Sequence, residues 1–417
     1  MKSALSFLIA AKQCEIRELE QLTLTSELVQ RTAELVHALQ KERGFTNLFL
    51  GSSEAQIALQ RQDLLARCRA VEAGARAAFD RLDTEGGRIG NGARLFSRIA
   101  YVLHGLDALP GLRARIDGRV LAPAEATQAF VRLIAGLLAV VFEAADSATD
   151  PEVSRLLVAM FHFMQGKELA GQERATGAAA FAFGRIEAVR QQQWLHLIES
   201  QERCFTVFGE FAEAAPLQLW SVCLAVPALA DLERLRRIAC TAPADSELDR
   251  SMSRTWFDCC TARIDAMQAV EVRLAADLLR LCERKIGQAR GDLLAHQAML
   301  EKLPALPPAA SGFFDDPAPG TPPSPIGPHL ERSVLEMVQD QSRRLQAMGD
   351  ELATVRAALN ERKLVERAKG VLMAHRHLSE EDAHKMLRQT AMSQSRRLVD
   401  VAEAVLAMAD LLPAQKT

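Results

Sequence analysis

Apolar residues recur at spacings of three and four positions through almost all of residues 1–303. This period places them on one face of a helix, whereas a half-buried strand would need strict alternation. Aromatic residues make up only 5 % of the chain, and strands are normally richer in them. We therefore predict an all-α fold whose first part is a helical bundle. A typical run of the pattern contains Leu22, Leu28, Val29, Leu35, Val36 and Leu39.

Prolines and glycines interrupt this pattern, and we expect helices to end where they do. The short breaks lie at residues 85–91, Pro110, Pro123, Asp150-Pro151, Pro216 and Pro243. A longer break, PALPPAASGFFDDPAPGTPPSPIGP, covers residues 304–328 and cannot continue a helix, because proline lacks the backbone donor. We predict that this segment is a linker between two separately folded parts.

Beyond the linker, residues 329–356 begin a coiled-coil seam of Val334, Val338, Gln341, Leu345, Met348, Leu352, Val355 and Leu359. The spacing predicts a coiled-coil helix that forms a parallel homodimer. A single amphipathic helix packed on the chain's own bundle is the alternative. Residues 357–412 predict a three-helix module, with the second helix capped by Ser379 and the third following Ser395. Its expected core is Leu364, Val365, Ala368, Leu372, Ala383, Met386, Leu387, Ala391, Leu398, Val401, Ala402 and Val405.

Charge and cysteine usage exclude several classes of protein. The net charge of −3 means that any nucleic-acid contact must come from a local basic patch. The eight cysteines show neither a Cys-x-x-Cys spacing nor a finger-like histidine partner, so we expect reduced thiols in a cytoplasmic protein and no metal. We found no apolar stretch of the roughly 20 residues that a membrane span needs. Isolated histidines such as His37 lack a nucleophile or acid partner, so we expect neither an enzyme nor a cofactor.

The C-terminal sequence ALNERKLVERAKGVLMAHRHLSEEDAHKMLRQTAMSQSRRLVDVAEAVL resembles the ANTAR domain, the three-helix RNA-binding output module of bacterial antiterminators. The resemblance runs through almost the whole module, including Ala368-Lys369-Gly370 and Leu387-Arg388. It implies that the partner is a leader mRNA, held as a paired-hairpin antiterminator so that the terminator hairpin cannot form. A module that binds DNA or a protein is the alternative.

The resemblance implies an RNA-binding set of Lys369, Gly370, Arg388, Arg396 and Arg397. Each of these has a competing structural interpretation. Lys369 could be an ordinary surface lysine, Gly370 could allow close helix packing, and Arg388 could pair with a nearby acid. Arg396 and Arg397 open a helix, where cations are unfavourable, which favours an anionic partner.

Residues 1–303 resemble the NIT domain, a helical domain that senses nitrate or nitrite in several bacterial signalling proteins. The resemblance is densest at LVHALQKERGFTNLFLGS and GKELAGQERATGAAAF. A NIT domain followed by an ANTAR domain is the architecture of nitrate-responsive transcription antiterminators. The resemblance therefore implies a regulator in which anion binding to the sensor frees the output module to bind RNA.

Two segments of the NIT-like region, Lys41-Glu42-Arg43-Gly44 and Gln172-Glu173-Arg174-Ala175, share an arginine that follows a glutamate. On facing helices, Arg43 and Arg174 would bring two guanidinium groups into one cavity. A planar guanidinium can donate to two oxygens of nitrate at once and stays charged when partly buried. The alternative is a buried salt bridge with a neighbouring glutamate. For a third contact we choose Arg236 over its neighbour Arg237, because only one of them can face inward.

Overall fold

The computed structural model describes residues 4–51, 55–82, 92–225, 227–243, 246–302, 328–376, 378, 380–394 and 396–410. Within these ranges the chain forms helices and no strand, apart from one isolated bridge between Arg185 and Glu247. The all-α prediction is confirmed. The helices are α1 (Ala4–Gly51), α2 (Ala55–Asp80), α3 (Gly92–Asp117), α4 (Pro123–Ser147), α5 (Pro151–Phe183), α6 (Ala188–Phe211), α7 (Ala214–Leu224), α8 (Pro227–Thr241), α9 (Met252–Lys302), α10 (Pro328–Arg376), α11 (Glu380–Ser393) and α12 (Leu398–Asp410).

Local signals in the sequence set several helix ends. α5 starts at Pro151, and the Asp150 carboxylate accepts a hydrogen bond from the Val153 amide at 3.1 Å, as an N-cap does. The same helix ends at Gly184, whose φ of 74° lies in the left-handed region that glycine adopts without strain. The break expected at Pro110 is wrong, because this residue lies inside α3. Its neighbour Leu109 is only 1 % exposed, so packing outweighs the loss of one backbone hydrogen bond.

Two very long helices organise the N-terminal part. α1 has 48 residues and α9 has 51, and they pack side by side. Their ion pairs show that they run antiparallel: Lys12 with Asp292 at 3.0 Å, Glu20 with Arg290 at 2.7 Å and Lys41 with Asp265 at 3.3 Å. α1 also packs on α2 and α4, and α5 packs on α6 and α9. One group of helices, α1, α2 and α4, therefore meets a second group, α5, α6 and α9, along α1, α5 and α9.

Aromatic rings form the core of the second group of helices, α5, α6 and α9. The Trp194 and Trp256 rings lie 4.8 Å apart, and Phe181 contacts both of them. Trp256 is fully buried, as expected for a core residue, and it packs directly on Gly177. A Cβ atom at Gly177 would lie 2.3 Å from Trp256 Cε2, so only glycine fits there without movement.

α4 is long and apolar enough to cross a membrane by length and composition, and 61 % of its most apolar stretch is buried inside the bundle. α7 together with residues 229–241 passes the same test but is bent by 66°. The sequence pattern had predicted no apolar stretch of this length. A helix buried on most sides needs few polar residues, which explains the composition of α4.

The structure divides into two compact units, Met1–Arg343 and Arg344–Thr417. In the second unit, the last part of α10 packs with α11 and α12. All twelve residues predicted for the core of this module belong to the observed cluster, which Leu378 and Leu406 complete. The predicted linker lies outside the described residues, except Pro328, which begins α10. The coiled-coil homodimer and the predicted domain boundaries stay predictions.

Candidate anion-binding site

The two motif arginines meet where α1 crosses α5. The Arg174 guanidinium lies against Gly44, where a Cβ atom would be 2.7 Å from Nη2. The Arg43 guanidinium lies against Gly171 in the same way, with a Cβ position 2.5 Å from its Nη2. Each arginine therefore occupies space that a glycine on the other helix leaves open, and the structure brings these two predicted residues together.

Arg43 is held by a carboxylate. Its Nη1 and Nη2 donate to the two oxygens of Glu168 at 2.5 and 3.1 Å, and the side chain is 1 % exposed. Gln40 and Gln172 also donate to Glu168, at 2.9 and 3.0 Å. The buried salt bridge that we considered as the alternative for Arg43 is thus present in the structure.

Arg174 has a different environment, although it carries the same charge and is 7 % exposed. It donates to Thr261 Oγ1 at 3.0 Å and stacks on the Phe257 ring at 4.9 Å. Among the described residues, no ion pair includes Arg174. Burial, and then the nearby charge of Arg43, lower the pKa of Arg174 to about 10. The charges of Asp265 and Glu168 offset this lowering of the pKa only in part. A buried cation that no ion pair compensates is costly, so this position favours an anion.

A cavity of about 590 Å³ opens beside this guanidinium, between α1, α2 and the first half of α9. Its polar lining includes Arg174, His37, Thr261 and Gln268, and its further charged side chains are Glu34, Lys41, Arg67 and Asp265. Arg43 and Arg236 do not line it. The sequence alone shows His37 only as an isolated histidine, and it does not single out Phe257 or Thr261. Phe257 and Thr261 lie four residues apart, but nothing local in the sequence indicates that they face Arg174.

Arg236 faces inward, as predicted, while Arg237 is exposed. However, it lies in a separate network, where it donates to both oxygens of Glu173 at 2.7 and 2.5 Å and to Glu233 at 2.6 Å. The structure does not bring Arg236 to the cavity beside Arg174. An anion contact by Arg236 stays a prediction, and it would require Glu173 to release the guanidinium.

Of the predicted RNA contacts, Lys369 is 8 % exposed and pairs with Glu366 at 2.8 Å. Among the residues that the structure describes, nothing lies within 4 Å of a Cβ placed on Gly370, so close packing against them does not explain this glycine. Arg388 is half-buried.

Arg396 and Arg397 are exposed just before α12, where Arg397 pairs with Asp400 at 3.1 Å. Asp400 in the first turn offsets the unfavourable position of these cations.

Residues 34–279 match a protein-family model described as nitrate and nitrite sensing, which covers more than half of the chain. The chain belongs to the NIT family. Residues 353–406 of this NIT protein match the model of the ANTAR domain. Within the described residues, no group of three or more His, Cys, Asp or Glu side chains is arranged to hold a metal ion.

Two known proteins resemble almost the whole chain, and a third resembles a short part of it. The nitrate regulatory protein of Klebsiella oxytoca is 34 % identical over 95 % of this chain and 93 % of its own length. The solved structure of the NasR transcription antiterminator shares 32 % identity, covers 97 % of this chain and 99 % of its own, and gives a TM-score of 0.60. The transcriptional regulatory protein PdtaR of Mycobacterium tuberculosis is 39 % identical over 73 residues, 18 % of this chain and 36 % of its own. Family and architecture make this NIT protein a nitrate-responsive regulator of transcription antitermination.

Proposed function

We propose that nitrate or nitrite binds in the cavity beside Arg174, and that this binding frees the ANTAR domain to hold leader mRNA in its antiterminator form. The observation that carries the proposal is the Arg174 guanidinium, which is buried, charged and not part of any ion pair in the described part of the chain. An anion that enters this cavity would supply the missing counter-charge.

The chemistry of the site suits a small planar monoanion. The Arg174 Cζ lies over the Phe257 ring, 4.9 Å from its centroid, and Nη1 donates to Thr261, so other N–H groups of the guanidinium remain for a ligand. A guanidinium presents parallel donors that match two oxygens of a planar acceptor. Nitrate has only acceptor oxygens, and a planar anion can lie in one plane with the arginine. The Arg174 guanidinium fits closely against Gly44, so it has little room on that side.

Arg43 adds little net charge to this proposed site. Its two terminal nitrogens already donate to Glu168, so the net charge of that pair is close to zero. Arg236 is balanced by Glu173 in a similar way. We therefore assign direct anion contact to Arg174, and a direct contact by Arg43 or Arg236 would need a rearrangement of its ion pair.

The test is isothermal titration of the full-length protein with nitrate, nitrite, chloride and sulfate. We expect Arg174→Ala to lose nitrate binding, while Arg237→Ala, which changes an exposed arginine, keeps the wild-type affinity. Circular dichroism would verify that the Arg174→Ala protein is folded. If the folded variant binds nitrate with unchanged affinity, Arg174 is not the anion-binding residue.

For the output, we propose that the unliganded sensor masks the coiled-coil helix or the surface of the ANTAR domain that carries Lys369 and Arg388. Anion binding then weakens this inhibitory contact. A coupling of ~1–3 kcal/mol would change RNA occupancy by roughly 5- to 150-fold, and linkage requires RNA to raise nitrate affinity by the same factor. Nitrate titrations with and without saturating leader RNA should therefore differ, and equal affinities would contradict autoinhibition. A gel shift with duplex DNA would test the alternative output.

We also propose that the protein is a cytoplasmic, non-enzymatic homodimer that needs no cofactor and no membrane. The proposed domains are the sensor at residues 1–303, the linker at 304–328, the coiled-coil helix at 329–356 and the ANTAR domain at 357–412. Light scattering of the full-length protein and of a variant with polar residues at Leu345 and Leu352 would test the dimer. A monomeric wild-type protein would contradict it.

A further inference from the structure

The residue six positions before each motif arginine differs between the two motifs: it is a glutamate in one and a histidine in the other. Glu168 precedes Arg174 by six residues, and His37 precedes Arg43 by the same number. Glu168 reaches across to Arg43 and neutralises it. In the matching relation, His37 shares the cavity with Arg174. The sequence position that holds a carboxylate before Arg174 thus holds an imidazole before Arg43.

His37 is anchored from behind by a buried lysine. The Lys167 ammonium lies 3.0 Å from His37 Nδ1, 2.6 Å from Gln268 Oε1 and 2.6 Å from Glu271 Oε2. The Lys167 side chain is completely buried, and these three contacts use its three donors. Burial lowers the pKa of Lys167, and the ion pair with Glu271 opposes this shift and favours the charged ammonium. A charged ammonium cannot accept a hydrogen bond, so this arrangement makes Nδ1 the acceptor and places the imidazole proton on Nε2.

The surroundings of His37 keep the ring uncharged. Burial, and then the charges of Lys167, Lys41 and Arg174, lower the pKa of His37 to about 2. A neutral imidazole with its proton on Nε2 is a fixed hydrogen-bond donor. Lys167 is not part of the cavity lining, whereas His37 is, so the Nε2 edge is the polar part of the ring that the cavity can use. No hydrogen bond from Nε2 occurs among the described residues.

We propose that His37, positioned by Lys167, donates its Nε2–H to an oxygen of the bound anion and so completes the site with Arg174. This inference rests on the proposed function. Among the charged residues that line the cavity, Lys41 and Arg67 are balanced in number by Glu34 and Asp265. Arg174 therefore leaves a single positive charge, which matches a monoanion, and the neutral His37 adds a donor without adding charge. A carboxylate in place of His37 would instead neutralise Arg174, as Glu168 neutralises Arg43, and would leave no charge for a ligand.

Nitrate titration of the full-length protein by calorimetry tests the assignment with three variants of one position. His37→Leu removes the donor, and we expect nitrate affinity to fall by ~10-fold or more, the usual effect of losing a hydrogen bond to a charged group. His37→Gln keeps an N–H donor, and we expect it to bind nitrate more tightly than His37→Leu. His37→Glu should abolish nitrate binding by pairing with Arg174.

Imidazole ¹⁵N spectra of histidine-labelled protein report the tautomer directly, with His37→Gln assigning the signal. We expect a neutral ring protonated at Nε2 and a shift of that Nε2 signal when nitrate is added. A folded His37→Leu protein with wild-type affinity, or an Nε2 signal that nitrate leaves unchanged, would overturn the role of His37. If Arg174→Ala also binds nitrate normally, the proposed site itself is wrong; if only His37→Leu does, the site stands without His37.

Discussion

The ion pair between Arg43 and Glu168 gives a quantitative prediction about the stability of the sensor. Glu168→Gln keeps the size of the side chain but removes the negative charge that faces a guanidinium only 1 % exposed. Breaking a buried pair by removing one partner costs about 3–5 kcal/mol, because the remaining charge is left without compensation. The cost should be increased here, since Arg174 already places a second cation beside Arg43. We therefore expect a loss of at least about 3 kcal/mol in the free energy of unfolding.

Urea unfolding followed by tryptophan fluorescence measures this loss selectively, because Trp194, Trp220 and Trp256 all belong to the sensor. The matched control is Asp231→Asn, which breaks an exposed pair with Arg234 and should change the free energy by less than about 1 kcal/mol. Nitrate should also raise the unfolding midpoint of Glu168→Gln more than that of the wild type. A loss no larger than that of the control would refute the view that Glu168 neutralises a charge which is otherwise unfavourable.

Three further predictions concern other parts of the molecule. The folded protein keeps the pKa of His37 near 2, so the neutral ring contributes its full stability above pH 6.5, and this stability is lost as the pH falls. In urea unfolding, the free energy of unfolding of the wild type should therefore fall by about 1.4 kcal/mol per pH unit below pH 6, relative to His37→Gln. Gly177→Ala should cost about 1–3 kcal/mol by overpacking Trp256, whereas Gly287→Ala, at an open position of α9, should stabilise the same transition slightly; equal effects would contradict the packing argument. Gly370→Ala should stabilise the helix by about 0.5–1 kcal/mol in thermal unfolding but weaken RNA binding in gel shifts, and unchanged RNA affinity would remove Gly370 from the RNA-binding set.

The fold was predictable where a local pattern determines the structure. The core of the C-terminal module follows from the helical period alone, because each of the three helical segments that form it has one apolar face. The helix starts at Pro123 and Pro151 follow from proline in the first turn. Pro110 shows the limit of such signals, since contacts with another helix decide whether a helix continues through a proline.

The candidate site was predictable only in part, because its geometry depends on pairs that are distant in sequence. The motifs indicated that Arg43 and Arg174 would meet, and they do. Nothing in the sequence shows that Glu168 neutralises one of them and leaves the other unmatched. The sequence also does not show that His37 contacts Lys167, which is 130 residues away.

The length of α9 has a mechanical consequence. Thr261 contacts Arg174 near the start of this helix, and the helix continues without interruption to Lys302, next to the predicted linker. At 1.5 Å per residue, the distance between these two positions is about 60 Å. Ion pairs hold α9 to α1 as far as Asp292, so we expect the two helices to tilt together, as one lever. A tilt of only about one degree at the cavity would move the far end by about 1 Å, and a tilt of five degrees by about 5 Å, the rise of one helical turn. A displacement too small to disturb the packing around the anion can therefore become large where the linker begins.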